Sequence, residues 1–358
     1  MSDHPEHPSR HDPDRRDFLQ AAGLAGAGLA LSASLLPAAE PPQLELTNTG
    51  PDQIPRKPFG KTNERVSVIG LGGYSLGSAP SLKEAVAIVH EAIDAGVTFL
   101  DNAWEYHDGK SEEWMGEGLR GGRRDKVFLM TKVCTHGRDR KVAMRMLEDS
   151  LRRLRTDHLD LWQIHECVYD NDPERHFAKG GVVEALDEAK KAGKVRYVGF
   201  TGHKDPAIHL KMLAHDYPFD SVQMPLNAFD ATYRSFQERV LPEVNRRGMA
   251  GLGMKSLGGN GQPVLQGVVR VPEALRYAMS LPVATTISGI DSLAVLRQNL
   301  AVARGFRPMT AQEREALERR CRPAAGDGHL ELYKSTMKYD GDLGRKLHGL
   351  PPQKELPL

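Results

Sequence analysis

From about residue 56 the chain alternates short apolar runs with longer segments whose apolar positions recur every three or four residues. The runs are RVSVIGLG (65–72), VTFLD (97–101), KVFLMTK (126–132), LDLWQIH (159–165), VRYVGFT (195–201), SVQMPLN (221–227), AGLGMKS (250–256) and ATTISGI (284–290). The segments between them, such as LKEAVAIVHEAIDAG, VAMRMLEDSLRRLR and GVVEALDEAKKAG, read as amphipathic helices. Gly96, Gly193 and Gly248 stand where helices should end in a left-handed cap. Strict strand–helix alternation predicts right-handed crossovers and a parallel sheet. Eight such units over roughly 250 residues predict an α/β fold, the closed (β/α)8 TIM barrel. The competitor is an open doubly wound sheet: GLGGYSLG (70–77) approaches a dinucleotide-binding glycine pattern, and Asp101 ends the second run, but no apolar helix follows the glycines at once.

The N-terminus differs in kind. Residues 1–14 are rich in His, Pro and Asp; then Arg15 and Arg16 precede Phe18 and Leu19 and a weakly apolar Ala-, Gly- and Leu-rich run. This is similar to a twin-arginine export signal. Residues 21–36 are too short and too rich in Gly and Ala for a stable membrane span. Small residues at Ser32, Ala33, Ser34, Ala38 and Ala39 leave the cleavage point open. The expected organisation is a signal peptide at 1–39, a proline-containing linker at 40–55, the barrel at 56–305, and a C-terminal helix and tail at 306–358. The precursor's partner would be the twin-arginine translocation machinery and its destination the periplasm, with a cytoplasmic location as the alternative. Three cysteines, Cys134, Cys167 and Cys321, make no disulfide framework, as fits a protein folded in a reducing compartment before export. A net charge of +1 argues against a nucleic-acid-binding face.

In such a barrel the reactive residues stand at the C-terminal ends of the strands. The second strand ends at Asp101, with Tyr106 in its loop; the third delivers Lys132 and the fourth His165. A phenol is a weak acid with a reference pKa of about 10, which a neighbouring ammonium lowers. Lys132 suits that role, Asp101 would order the lysine, and His165 could hold a carbonyl oxygen. Such a site protonates an oxygen while something else attacks the carbon, and hydride would have to come from a cofactor. Taken singly, Lys132 and Asp101 could be a structural ion pair, His165 a satisfied buried histidine and Tyr106 a loop aromatic. Their joint placement on three adjacent strand ends points to a reaction centre.

These residues resemble the aldo-keto reductase family from about residue 56 to 305. DNAWEYHDGKSEEWMG is similar to its D-x-A-x-x-Y signature followed by S-E and L-G; LMTKV carries its T-K; SLRRLRTDHLDLWQIH (150–165) follows its S-L-x-R-L-x-T-D-x-x-D-L-x-x-x-H signature throughout. The resemblance implies a metal-free barrel enzyme using NADPH or NADH on a small carbonyl substrate, with Asp101, Tyr106, Lys132 and His165 as its tetrad and Tyr106 as general acid. It implies cofactor contacts at Thr201 and Gly202, where the family has Ser-Asn, at Gln223, and at Met254, where an aromatic commonly stacks. Backbone N–H groups near Leu257 to Gly261, those of Leu257 and Gly258 among them, and at the start of the last helix are expected to grip the pyrophosphate; Lys255, Ser288 and Gly289 are further candidate cofactor contacts, and Asn299 is kept where the family contacts the adenine. Gly289 and Val295 replace the Lys and Arg that many members place against a 2′-phosphate; Arg297 stands two positions away. Tyr74 and Trp104 are candidate substrate-pocket walls, and the family's tails fold over the barrel mouth. Two other functions stay open: a cofactor-sensing accessory subunit with little turnover, and a Schiff-base lyase using Lys132. Cys134 and Cys167 read as small pocket-lining residues rather than a metal site, and His107 and His136 as solvated loop residues.

Overall fold

The structure is a computed structural model of the chain and describes residues 44–134, 138–347 and 349–355. The expected export signal and residues 40–43 of the expected linker lie outside the described residues, as does His136. Eight parallel strands close into a barrel: β1 (Ile69–Gly72), β2 (Phe99–Asp101), β3 (Phe128–Val133), β4 (Leu159–Ile164), β5 (Val195–Thr201), β6 (Ser221–Pro225), β7 (Ala250–Met254) and β8 (Thr285–Gly289). Closure is explicit, because β8 pairs with both β7 and β1. That excludes the open doubly wound sheet, and the glycine-rich stretch after β1 forms only a short turn of helix, Gly73–Leu76. Gly96, Gly193 and Gly248 all adopt positive φ where their helices end.

The strands are buried on both faces, as a parallel barrel wrapped in helices requires. Side chains alternate between the two faces. Phe99, Phe128, Met130, Leu161 and Leu252 form the inner cluster, while Leu100, Leu129, Trp162 and Val222 pack against the helices. Following the same two-residue period upward, the inner positions change character at the top of the barrel. Phe99 is succeeded by Asp101, Met130 by Lys132, Ser221 by Gln223 and Leu252 by Met254. The apolar core thus gives way to the reactive layer within single strands.

The apolar run 65–72 splits in two. Arg65–Ser67 pairs antiparallel with Arg56–Pro58 in a hairpin across the bottom of the barrel, and only Ile69–Gly72 enters the barrel. The hairpin pushes Phe59 and Val66, both fully buried, into the inner cluster. The Phe59 ring lies 4.7 Å from that of Phe128, which stacks on Phe99 at 5.5 Å. Residues 44–55 form no helix or strand but are not a free linker. Thr47 exchanges backbone hydrogen bonds with Arg56, Ile54 is buried, and the Gln53 carbonyl accepts from Gly305 N.

Over residues 236–246 the chain forms two short helices, Phe236–Arg239 and Leu241–Arg246. Pro242 lacks an N–H and is tolerated only in a first helical turn, so a new helix starts there. Beyond the barrel, Ala311–Ala325 is a helix opened by a reciprocal cap between Thr310 and Glu313. The chain then crosses the rim over the ends of β4 to β7. The Gly341 N–H donates to Glu166 at 3.2 Å, Lys204 pairs with Asp340, and Asn227 Nδ2 donates to the Tyr333 hydroxyl at 3.0 Å. The anchor is Lys334, fully buried, whose ammonium donates to Asp230 at 2.6 Å, to Glu331 at 2.9 Å and to the Tyr233 carbonyl at 2.8 Å. No helix among the described residues is long and apolar enough to cross a membrane.

Replacing Phe59 with Ala should empty the lower barrel and cost about 3–5 kcal/mol. Urea unfolding should show this as a lowered midpoint with an unchanged slope.

Candidate active site

At the top of the barrel the structure brings the four tetrad residues together. Lys132 is wholly buried, and its ammonium donates to Asp101 Oδ1, to the Asn102 carbonyl at 2.7 Å and to the Tyr106 hydroxyl at 3.4 Å. Three protons meet three acceptors, so the ammonium is satisfied without water. Asp101 uses its second oxygen to accept from Gln223 Nε2 at 3.1 Å, across the barrel mouth. Tyr106 meets His165 edge to face, with ring centroids 5.6 Å apart. Because Lys132 has only protons to offer, the phenol oxygen accepts from it and the phenolic proton is not used in that bond.

The electrostatics reverse one expectation. Lys132 should lower the Tyr106 pKa, yet burial, and after it the charges of Asp101, Glu105 and Glu166, push the phenol well above its ordinary value. The distance to Lys132 is long for a strong hydrogen bond, while burial penalises the phenolate directly. In this state Tyr106 is held firmly protonated. Sequence reasoning missed two members of this cluster. Glu105 hydrogen-bonds Nδ1 of His165, sixty positions along the chain. Glu166, next to His165, has its carboxyl raised to about 7, first by burial and also by Glu105 and Asp340, against the opposing charge of His165. The only signal for either was an acid adjacent to a tetrad residue.

On the far side of the mouth, Thr201 and Gln223 occupy paired positions on β5 and β6. Thr201 Oγ1 and Gln223 Oε1 are buried polar atoms with no hydrogen-bond partner among the described residues. Two orphaned polar atoms side by side are costly unless a ligand satisfies them, and they fit the carboxamide of a nicotinamide. Met254 ends β7 beside them, its sulfur 3.6 Å from Gln223 Nε2. Tyr74 is an exposed ring at the edge of the tetrad, 5.4 Å from Tyr106 and 4.9 Å from the His107 ring. His107 is no freely solvated loop residue, since its Nε2 bonds the Tyr74 carbonyl at 2.8 Å and so sets that ring's position.

The sequence pattern of the Aldo/keto reductase family matches residues 68–262. The chain belongs to the aldo/keto reductase family. It is 26% identical over 304 residues to the uncharacterized oxidoreductase YqkF of Bacillus subtilis, covering 74% of this chain and 95% of that one. A shorter stretch of 132 residues is 36% identical to the methylglyoxal reductase YeaE of Escherichia coli, covering 37% of this chain and 44% of that protein. The fold is similar to that of an aldo-keto reductase from Klebsiella pneumoniae solved in complex with NADPH. Their TM-score is 0.61 at 24% identity, over 74% of this chain and 94% of that one. The chain is thus an oxidoreductase by family.

Several family cofactor positions depart from the pattern for physical reasons. The family's amide-gripping Asn corresponds to Gly202, where even a Cβ would lie 2.3 Å from the Cys167 carbonyl oxygen and 2.9 Å from His209 Cε1. The backbone leaves room for glycine alone. Lys255, in a left-handed conformation, points its ammonium between the tail rings of Tyr333 and Tyr339, 5.0 Å from each, and burial with nearby Lys132 lowers its pKa to about 8. Leu257 is partly buried against the core, and Gly258 takes positive φ against Pro263 and the Leu330 carbonyl. Asn299, which the family pattern retains, is buried, with one amide N–H donating to Ser288 Oγ at 3.0 Å and its Oδ1 without a hydrogen-bond partner among the described residues, while Gly289 is exposed beside Ser75. Arg297, two positions beyond Val295, pairs with Glu91 on the surface through two bonds of 2.8 and 2.9 Å. Trp104 sits under the Arg153 guanidinium, 5.2 Å away, and is partly buried against the core. Cys134 and Cys167 are buried and in no disulfide, and no cluster of metal-ligand type occurs among the described residues.

Two outcomes follow. Gly202→Asn, which restores the family residue, should lower Tm measurably in calorimetry instead of improving the site, because its Cβ has no room. For Glu166 the folded pKa lies above the usual 4.5, so the folded state binds the extra proton and loses stability as pH rises from 4.5 to about 7. Glu166→Gln removes that loss, and chemical denaturation should show the variant gaining on the wild type across this window and holding the gain above it.

Proposed function

We propose that this chain reduces an aldehyde or ketone, or oxidises the corresponding alcohol, by hydride transfer with NADPH or NADH, with Tyr106 as general acid. The observation that carries the reading is the single buried ammonium of Lys132, which holds Asp101 on one side and the Tyr106 hydroxyl on the other at adjacent strand ends. When bound, the nicotinamide supplies the hydride. Thr201 and Gln223 would hold its carboxamide, and the protein's own residues manage the oxygen. Tyr106 delivers its proton to the carbonyl oxygen as the carbon accepts the hydride, Lys132 steadies the phenolate left behind, and His165 orients the oxygen. A raised resting pKa suits a donor that must keep its proton until the oxygen becomes basic.

The lyase alternative is weaker on physical grounds. A Schiff base needs a neutral, accessible amine. Lys132 is inaccessible, ion-paired and fully hydrogen-bonded. The accessory-subunit reading draws on Thr201 and Gly202 in place of the family's Ser-Asn and on Met254 in place of its stacking aromatic, both of which would weaken the grip on a nicotinamide. Export by the twin-arginine route to the periplasm is also proposed, on Arg15, Arg16 and the following Phe18 and Leu19; N-terminal sequencing of the protein recovered from cell fractions tests it.

Fluorescence titration with NADPH and NADH, followed by turnover on a panel of small carbonyls, tests the main reading. Tyr106→Phe should bind cofactor as the wild type does and lose about 100- to 10,000-fold in kcat. Full turnover by the variant would remove Tyr106 as the acid, and tight binding without turnover in the wild type would favour the accessory role.

A further inference from the structure

The loop that carries Tyr106 also carries Glu105, and the two neighbouring side chains engage different partners. Tyr106 receives the Lys132 ammonium, while Glu105 reaches from the end of β2 to Nδ1 of His165 at the end of β4. Glu105 is mostly shielded from solvent, and its second oxygen, Oε2, is buried with no hydrogen-bond partner among the described residues. An ionised carboxylate can only accept, so the Nδ1 it faces carries the hydrogen. A neutral imidazole protonated there presents a lone pair at Nε2, and a lone pair repels a carbonyl oxygen. His165 can donate to a substrate oxygen through Nε2 only by holding a second proton.

We propose that Glu105 is a positioning residue of the reaction, fixing His165 by its Nδ1–H so that the ring meets the substrate oxygen through Nε2 as an imidazolium. This rests on the reductase reading above. Glu105 itself touches neither substrate nor cofactor. Burial opposes its ionisation, but the charge and hydrogen bond of His165, with Lys132, outweigh it and hold the carboxyl below its usual value. Among the described residues the other groups that act on the imidazole are Glu166 beside it, Tyr106, whose ring meets it edge to face, and His203 from β5, with Asp340 of the tail behind Glu166, Lys255 beside His203 and Lys132 beside Glu105. Of these His203 is held neutral, first by burial and then by Lys255 and Lys204, so it does not compete for the proton. In the reduction the Tyr106 proton still goes to oxygen and the hydride to carbon. The imidazolium keeps its own proton and stabilises the negative charge that builds on oxygen before that transfer is complete.

The test compares the full-length wild type with Glu105→Gln, which retains an acceptor for Nδ1–H and loses the charge, and with Glu105→Asp, which retains the charge. Two readouts are taken: histidine 15N NMR titration, with His165 assigned by its absence in His165→Gln, and the pH profile of kcat/KM on the carbonyl panel. The expected result is a His165 pKa about one pH unit or more lower in Glu105→Gln. The alkaline limb of kcat/KM should move down with it, cofactor affinity should be unchanged, and Glu105→Asp should lie close to the wild type. Coincident His165 titrations in all three proteins, or an Nδ1 without its hydrogen in the wild type, would overturn the proposal. So would a shifted NMR titration with an unmoved kinetic limb. If the NMR shift appears while the wild type turns over no carbonyl, the ion pair stands and the reductase reading falls.

Discussion

The buried Lys132 ammonium is the interaction on which the site depends. Taking an ammonium and a carboxylate out of water is costly, and the attraction between them offsets that cost only if every remaining proton and lone pair is matched. Here they are matched by strand ends that are distant in sequence. Asp101 and the Asn102 carbonyl come from β2, the phenol from the loop beyond it, and the Gln223 amide from β6 across the mouth. Only a closed barrel delivers these groups to one point. The stability of the reactive layer and the geometry of the proton donor are therefore consequences of the same closure.

Around that cation the protein has gathered acids. Asp101, Glu105 and Glu166 all act on Tyr106, and together with burial they outweigh Lys132 in setting its proton affinity. The lysine's work is therefore geometric as much as electrostatic. It holds the hydroxyl oxygen and leaves the phenolic proton out of that bond. The acids explain the imidazole as well, since His165 stands between two carboxylates, Glu105 bonded to its Nδ1 and Glu166 beside it in the chain. Substrate oxygen would enter between a donor that keeps its proton tightly and a ring whose second proton depends on a carboxylate.

The rim opposite the tetrad is built by the tail. Lys334 makes a second buried cation cluster with Asp230 and Glu331, and Asp230 also receives the backbone N–H groups of Phe236 and Gln237. Tyr333 and Tyr339 are thereby held against Lys255 and the loop after β7.

The barrel was legible in the sequence because its signals are local. Two-residue alternation, helical periodicity and capping glycines are set by neighbours in the chain, and the order of the strand ends then put Asp101, Tyr106, Lys132 and His165 on one face. What the sequence left open is decided by groups that meet only after closure. The Cys167 carbonyl permits only glycine at 202, Glu91 pairs with Arg297, Arg153 stacks on Trp104, and Glu105 crosses sixty positions to His165. No periodicity encodes such contacts. They depend on distances of a few ångströms between loops that the closed barrel alone fixes, and those distances set the proton affinities and the cofactor contacts.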